Sequence, residues 1–391
     1  MRGLVLKACA LRFFDTFLLI VPFYTVMFAE RGLSPAQIGI VLGAWSVTGV
    51  ALQIPFGVLA DHMPRRWLLF IGQSGRTAGF VLWLAVPSFW GFLGGLVLWG
   101  VKSASMSGTF EALIYDELKA VGRETEYARV IGRTQAARFG GVVAASLVAA
   151  AGAELGYGVL VGASIASSLV ASGAALLLPA APRAVSAGRA DYFAHLRRGA
   201  ADAVRLPGVL PLLVFIAAIQ AVATACADYW QLFGRDVGLS PAAIAVFVAA
   251  LAATEALASV LAHRMRGGPM ALSYGMILLA GLGLAAAAAT YEAWSVLLVV
   301  LCLGLYRLVD VNADARFQHA IREETRATVA AVKVFTMQCG TTVLILGFGL
   351  LAQVSDYRTA FLTYGLALAG LGAAYAAGRL RSSLAAGGRR A

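Results

Sequence analysis

Apolar stretches of about twenty residues follow one another along nearly the whole of this chain, each long enough to cross a bilayer as an α-helix. Lipid offers backbone amides no water, so only helices and closed barrels can span it. These stretches do not alternate apolar with polar side chains, which points to helices. The composition agrees. The 391 residues are 60% hydrophobic and 13% charged, whereas soluble domains are about half apolar and a quarter charged.

The pattern predicts twelve spans, over 8–29, 36–60, 67–87, 91–114, 131–153, 157–179, 207–231, 241–262, 269–290, 293–314, 329–353 and 357–378. The expected fold class is an all-α membrane protein of two pseudo-symmetric six-helix bundles. The first covers 1–180 and the second 207–391 with a short basic tail, joined by a linker loop over 181–206. Within that linker, Tyr192–Leu196 could form a helix lying on the membrane surface. The formal net charge is +11. A basic chain can bind nucleic acid, but no stretch is left over for a soluble basic domain. One set of loops, with both termini, carries twenty-one of the Lys and Arg residues and the opposite set three. Cytoplasmic loops hold such an excess, so both termini are expected in the cytoplasm and the chain in the cytoplasmic (inner) membrane.

The two halves repeat each other. Gly32-Leu33-Ser34-Pro35-Ala36 opens the second span and Gly238-Leu239-Ser240-Pro241-Ala242 the eighth. In both, Ser precedes Pro at a helix start, where a capping hydroxyl and a fixed φ suit the first turn. The loops Asp116–Arg129 and Asp314–Arg326, after spans four and ten, enclose similar acidic and basic residues. Repetition of whole helical units is a transporter pattern.

Between spans two and three lies Gly57-Val58-Leu59-Ala60-Asp61-His62-Met63-Pro64-Arg65-Arg66. Ser259–Gly268 is a weaker copy in the second half, with His263 where the first has its acid. Gly57, Leu59, Asp61, Arg65, Arg66 and Leu69 resemble the signature G-x-L-A-D-R-x-G-R-R-x-x-L of the major facilitator superfamily. His62 and Pro64 depart from it. The resemblance covers essentially the whole chain and implies transport by alternating access. It also implies a conformational latch of Gly57, Asp61, Arg65, Arg66 and the neighbouring Asp116.

Ionisable side chains inside spans are expensive unless paired, so they usually face a bundle interior and mark a pathway. The candidates for a substrate or proton pathway are Arg12 and Asp15 on span one, Arg76 on span three, Lys102 and Glu111 on span four, Glu255 on span eight, and Arg307 and Asp310 on span ten. Spacing of three residues places Arg12 with Asp15, and Arg307 with Asp310, on one helix face. Asp314 and Lys333 lie near span ends and are expected to pair structurally. Tyr24, Trp45 and Tyr306 are candidate cavity aromatics.

The expected function is secondary active transport of a small organic molecule, by proton-coupled export. Buried carboxylates would supply proton sites. Arg76, Lys102 and Arg307 favour an anionic or zwitterionic substrate. An uptake permease, or a non-transporting enzyme or receptor on this scaffold, is the alternative. No nucleotide-binding loop or nucleophile elbow is present in the sequence. Cys9, Cys226, Cys302 and Cys339 lack metal-ligand spacing. No enzyme activity, cofactor, metal or nucleic-acid partner is expected, and the chain is expected to be a monomer in the bilayer.

Overall fold

The computed structural model describes residues 2–179, 208–265, 268–321 and 326–387, without the side chains of Asp61 and of 326–328 and 379–387. The expected linker with its Tyr192–Leu196 patch lies outside these residues, as do Arg266 and Gly267 of the second polar loop and the tip of the 314–326 loop.

The described residues up to 179, with Leu239–Ala252, group as one compact unit. Those from 208 onward, apart from that segment, form the second. In the first unit the helices are α1 (Arg2–Thr16), α2 (Tyr24–Glu30), α3 (Pro35–His62), α4 (Arg65–Ala85), α5 (Phe89–Met106), α6 (Thr109–Ala120), α7 (Tyr127–Ala151) and α8 (Tyr157–Leu176). After the linker come α9 (Val209–Ala227), α10 (Trp230–Asp236), α11 (Pro241–Leu261), α12 (Met270–Thr290), α13 (Val296–Ala320), α14 (Arg326–Val354) and α15 (Tyr357–Gly387).

Among the described residues, helices occupy all twelve expected stretches, but three are broken where unbroken helices were expected. Span one is α1 and α2, interrupted over 17–23; Pro22 stands in the gap and has no N–H to donate. Span four is α5 and α6, parted at Gly108, whose φ of +71° is left-handed. Span seven is α9 and α10, parted at Asp228 and Tyr229.

The repeated pentapeptide builds the same corner twice. Gly32 and Gly238 have φ of +87° and +85°. Each N–H returns to a carbonyl three residues back, Ala29 and Arg235, both at 3.0 Å. Ser34 Oγ accepts from the Gln37 N–H at 3.3 Å, and Ser240 Oγ from the Ala243 N–H at 3.3 Å. The pairing of spans also repeats. α1 packs on α7 and α8, and α4 on α5 and α8. In the second unit α9 packs on α14 and α15, and α12 on α13 and α15. Spans 1–5, 1–6, 3–4 and 3–6 thus recur as 7–11, 7–12, 9–10 and 9–12.

Among the described residues, eight helices are long and apolar enough to cross a membrane by length and composition. Spans one, three, four and five fall short of that measure, being broken or carrying charges inside. Leu147, Leu169, Leu279, Leu297, Leu301 and Val343 are more than half exposed on the outer faces of their helices. A bilayer would cover such side chains.

Helices in lipid approach closely where small residues meet. α12 and α15 do so at Gly281, where an added Cβ would stand 2.2 Å from the Ala369 nitrogen. Gly281→Val is expected to destabilise the solubilised protein by about 1–3 kcal/mol, the usual cost of overpacking. Gly275→Ala, whose Cβ would meet nothing within 4 Å, is the matched control. Equal thermal midpoints for the two variants would contradict this packing.

Candidate functional site

The break in span one creates the site. Once α1 stops at Thr16, its last carbonyls need partners from elsewhere. Ser167 Oγ donates to the Phe14 carbonyl at 2.9 Å, while Thr16 Oγ1 reaches the Arg138 carbonyl of α7 at 2.8 Å. Arg76 Nη1 donates to the Asp15 carbonyl at 2.7 Å. In the gap itself, the Ile20 N–H donates to Ser164 Oγ at 3.0 Å. The unwound turn is thus held by side chains of α4 and α8.

The Asp15 side chain sits 3% exposed among cations. Lys102 Nζ lies 2.6 Å from Oδ1, Arg76 Nη1 3.0 Å from Oδ1, and Arg12 Nη1 4.0 Å from Oδ2. Gln73 Nε2 donates to Oδ1 at 2.8 Å, while its Oε1 accepts from Arg76 Nη2 at 2.7 Å. Three cations therefore share one carboxylate. Nε of Arg76 and Nε of Arg12 are buried with no hydrogen-bond partner. Arg76 also lies over the Trp99 ring at 5.7 Å.

These groups line a cavity of about 670 Å³ within the first unit. Arg12, Asp15, Arg76, Lys102, Glu111, Arg138 and Trp45 all contribute to its wall, with Ser103, Ser107 and Gly108. Tyr24 does not line it. Tyr24 is 5% exposed and stacks on Trp83 at 6.2 Å, next to Phe28 and Trp99, inside the aromatic core.

The second unit holds a smaller polar group. Arg307 Nη1 pairs with Asp310 Oδ2 at 2.8 Å, and Arg307 Nε donates to Ser259 Oγ at 3.0 Å. Gln220 Nε2 donates to Asp310 Oδ1 at 2.6 Å, leaving its own Oε1 buried and unpartnered. Tyr306, 7% exposed, is packed beside this group. Glu255 is half-buried one turn from Ser259, whose hydroxyl donates to the Glu255 carbonyl at 2.7 Å. Lys333 pairs with Asp314 and lies over Phe317.

The family model described as Major Facilitator Superfamily matches residues 8–332. The chain belongs to the major facilitator superfamily. The Escherichia coli (strain K12) inner membrane transport protein YajR is 33% identical over 133 residues, which are 34% of this chain and 27% of that protein. Two solved structures share the fold at low identity. A variant of the nucleoside transporter NupG gives a TM-score of 0.76 at 15% identity, over 96% of this chain and 99% of that one. A bacterial homolog of the human lysosomal transporter Spinster, inward-facing and unoccupied, gives 0.75 at 18% identity, over 96% and 95%. The chain is thus a multi-pass membrane protein of a transporter superfamily, and spans about a quarter of the length of the curated relatives it matches.

The superfamily signature occupies the corner between α3 and α4. Gly57 is half-buried on α3 and Asp61 lies in its last turn. Arg65 and Arg66 begin α4, where the positive end of the helix disfavours them. Asp116 on α6 forms an ion pair with Arg65, while Nε of Arg66 is buried without a partner. Asp116→Asn is expected to cost under about 1 kcal/mol of stability, the range for partly exposed pairs, and yet to change the transport rate. Unaltered flux in that variant would remove this pair from the latch.

Sequence reading missed Gln73, Trp99, Ser103 and Gln220, and gave Ser259 only as the start of the second polar loop. The signal was present: an amide inside an apolar span has few partners other than polar groups on neighbouring helices. Gln73 also precedes Arg76 by three residues, and so shares its face.

Proposed function

We propose that this superfamily member is a secondary active transporter of small organic anions or zwitterions, working by alternating access. The observation that carries the substrate class is the cavity of the first unit, where Arg12, Arg76 and Lys102 converge on Asp15. Like charges held together away from water repel by several kcal/mol, about 4 kcal/mol for a pair 4 Å apart at an effective dielectric of 20. An arriving anion relieves that repulsion; a cation adds to it.

The coupling ion is the proton and the direction is export, as the sequence reading expects. Asp310 and Glu255 in the second unit are the carboxylates proposed to exchange protons. The chain works as a monomer in the cytoplasmic membrane with both termini inside, as two six-helix halves, 1–180 and 207–391. The loop-charge asymmetry supports the orientation. Similarity to an inner-membrane transport protein supports the location.

Purified protein in proteoliposomes, given an imposed pH gradient, tests this reading. Organic anions are expected to move against their own gradient when protons run down theirs, in the sense of export. Movement that ignores the pH gradient would remove proton coupling, and accumulation in the opposite sense would make the protein a permease for uptake.

A further inference from the structure

We propose that the cavity of the first unit takes an organic dianion, its charged group seated between Arg12, Lys102 and the start of α6 and its flat body against Trp45. This deepens the transport proposal and rests on its reading of the cavity.

Four cations line the cavity, Arg12, Arg76, Lys102 and Arg138, against two acids, Asp15 and Glu111. The excess is two positive charges. Asp15 is already shared by three of those cations. Buried charge is tolerated when it is paired and hydrogen-bonded. Yet Arg76, 1% exposed, keeps an Nε with no partner, and so does Arg12. Among the described residues that line it, the wall carries more positive charge than its own acids neutralise, which suits it to receive an anion.

The break in span four adds donors to the same wall. α6 starts at Thr109, one residue after Gly108, with no side-chain cap. Ala112 N–H finds the Gly108 carbonyl at 3.0 Å. The N–H groups before it, at Thr109, Phe110 and Glu111, have no acceptor within the helix, as at any helix start. Such a start attracts anions. Arg12 stands beside it, its guanidinium 5.1 Å from the Phe110 ring centre. The opposing end of α5 is quieter, because Ser105 Oγ and the Ser107 N–H satisfy the Lys102 and Ser103 carbonyls at 2.8 and 3.1 Å.

Trp45 supplies the apolar side. Its indole Nε1 donates to Ser103 Oγ at 3.1 Å, which fixes the ring on the cavity wall. Its neighbour Trp99 is inclined at 58° with ring centres 6.5 Å apart, so the two do not stack on each other. A flat ligand fits against Trp45 with its charges toward Arg12 and Lys102. The volume of about 670 Å³ is that of a site for a small organic molecule.

Binding to the purified full-length protein in detergent, followed by tryptophan fluorescence and calorimetry, tests this. The probes are phthalate and phenyl phosphate as aromatic dianions, benzoate as a monoanion, and benzyltrimethylammonium as a cation. At least one dianion is expected to bind tenfold or more tighter than benzoate, and the cation not to compete. The better dianion identifies the head group as dicarboxylate or phosphate. Arg12→Gln is expected to weaken the better dianion at least tenfold. Glu111→Gln, which removes a lining acid, is expected to tighten it. The second variant decides the matter if the first does not fold. Equal affinity for benzoate and both dianions, competition by the cation, unchanged affinity in Glu111→Gln, or no binding by any probe would each overturn the proposal. These outcomes leave secondary transport itself standing, which the proteoliposome flux tests separately.

Discussion

Asp15→Asn is expected to yield little folded protein. The substitution keeps the shape of the side chain and removes the one negative charge that Arg12, Arg76 and Lys102 share. Deleting one partner of a buried ion pair costs about 3–5 kcal/mol because the charge left behind stays buried. That is a large part of the 5–15 kcal/mol by which proteins are typically stable. Combining it with Lys102→Met, which removes the cation nearest to Oδ1, is expected to restore much of the loss. Gln73 and the Asp15 carbonyl still hold Arg76 in that double variant. The measurement is the yield and thermal midpoint of monodisperse protein for both single variants and the double. A single Asp15→Asn variant as stable as the parent would mean that this carboxylate is not what neutralises the cluster.

In the second unit, Asp310→Asn is expected to abolish concentrative transport and spare downhill exchange. Asp310 is 4% exposed and its carboxylate meets Arg307 and Gln220, a smaller group than the one around Asp15, so its charge can change without dismantling a larger cluster. On sequence grounds Asp15, Glu255 and Asp310 are all candidate carboxylates of the proton pathway. The surroundings of Asp15 give it a different task, since loss of its charge would leave three cations facing one another. Coupling therefore falls to Asp310 and Glu255. Flux with and without a pH gradient separates the two activities. Retained accumulation in Asp310→Asn and in Glu255→Gln would exclude both as proton sites.

Much of this was legible in the sequence. Length and hydropathy of the apolar runs determine twelve spans, since lipid permits little else. The pentapeptides at Gly32 and Gly238 announced the repeat, because Gly, Ser and Pro each have one physical use at such a corner. The pairs Arg12 with Asp15 and Arg307 with Asp310 followed from a spacing of three residues. What could not be read was the breaking of spans one, four and seven. Pro22 marks the first break, but Gly108 is one of 43 glycines, and only packing shows which of them turns left-handed. The breaks in turn put the Asp15 carbonyl and the start of α6 into the cavity wall. Likewise, charge alone could not say that Asp15, on α1, would meet Gln73 and Arg76 on α4 and Lys102 on α5. That depends on which spans pack together. Tyr24 shows the converse limit: an aromatic on a pathway helix can serve as core, and its neighbours on other helices decide.

The measurement that bears most directly on the account is counterflow in proteoliposomes of the purified protein. Vesicles preloaded with a small organic anion are diluted into a labelled trace of the same compound, and a cationic amine is run in parallel. The account predicts that labelled anion enters faster than into protein-free vesicles, that the amine does not, and that Lys102→Met slows anion entry. Counterflow of the amine alone, or rates equal to protein-free vesicles for every anion, would contradict it.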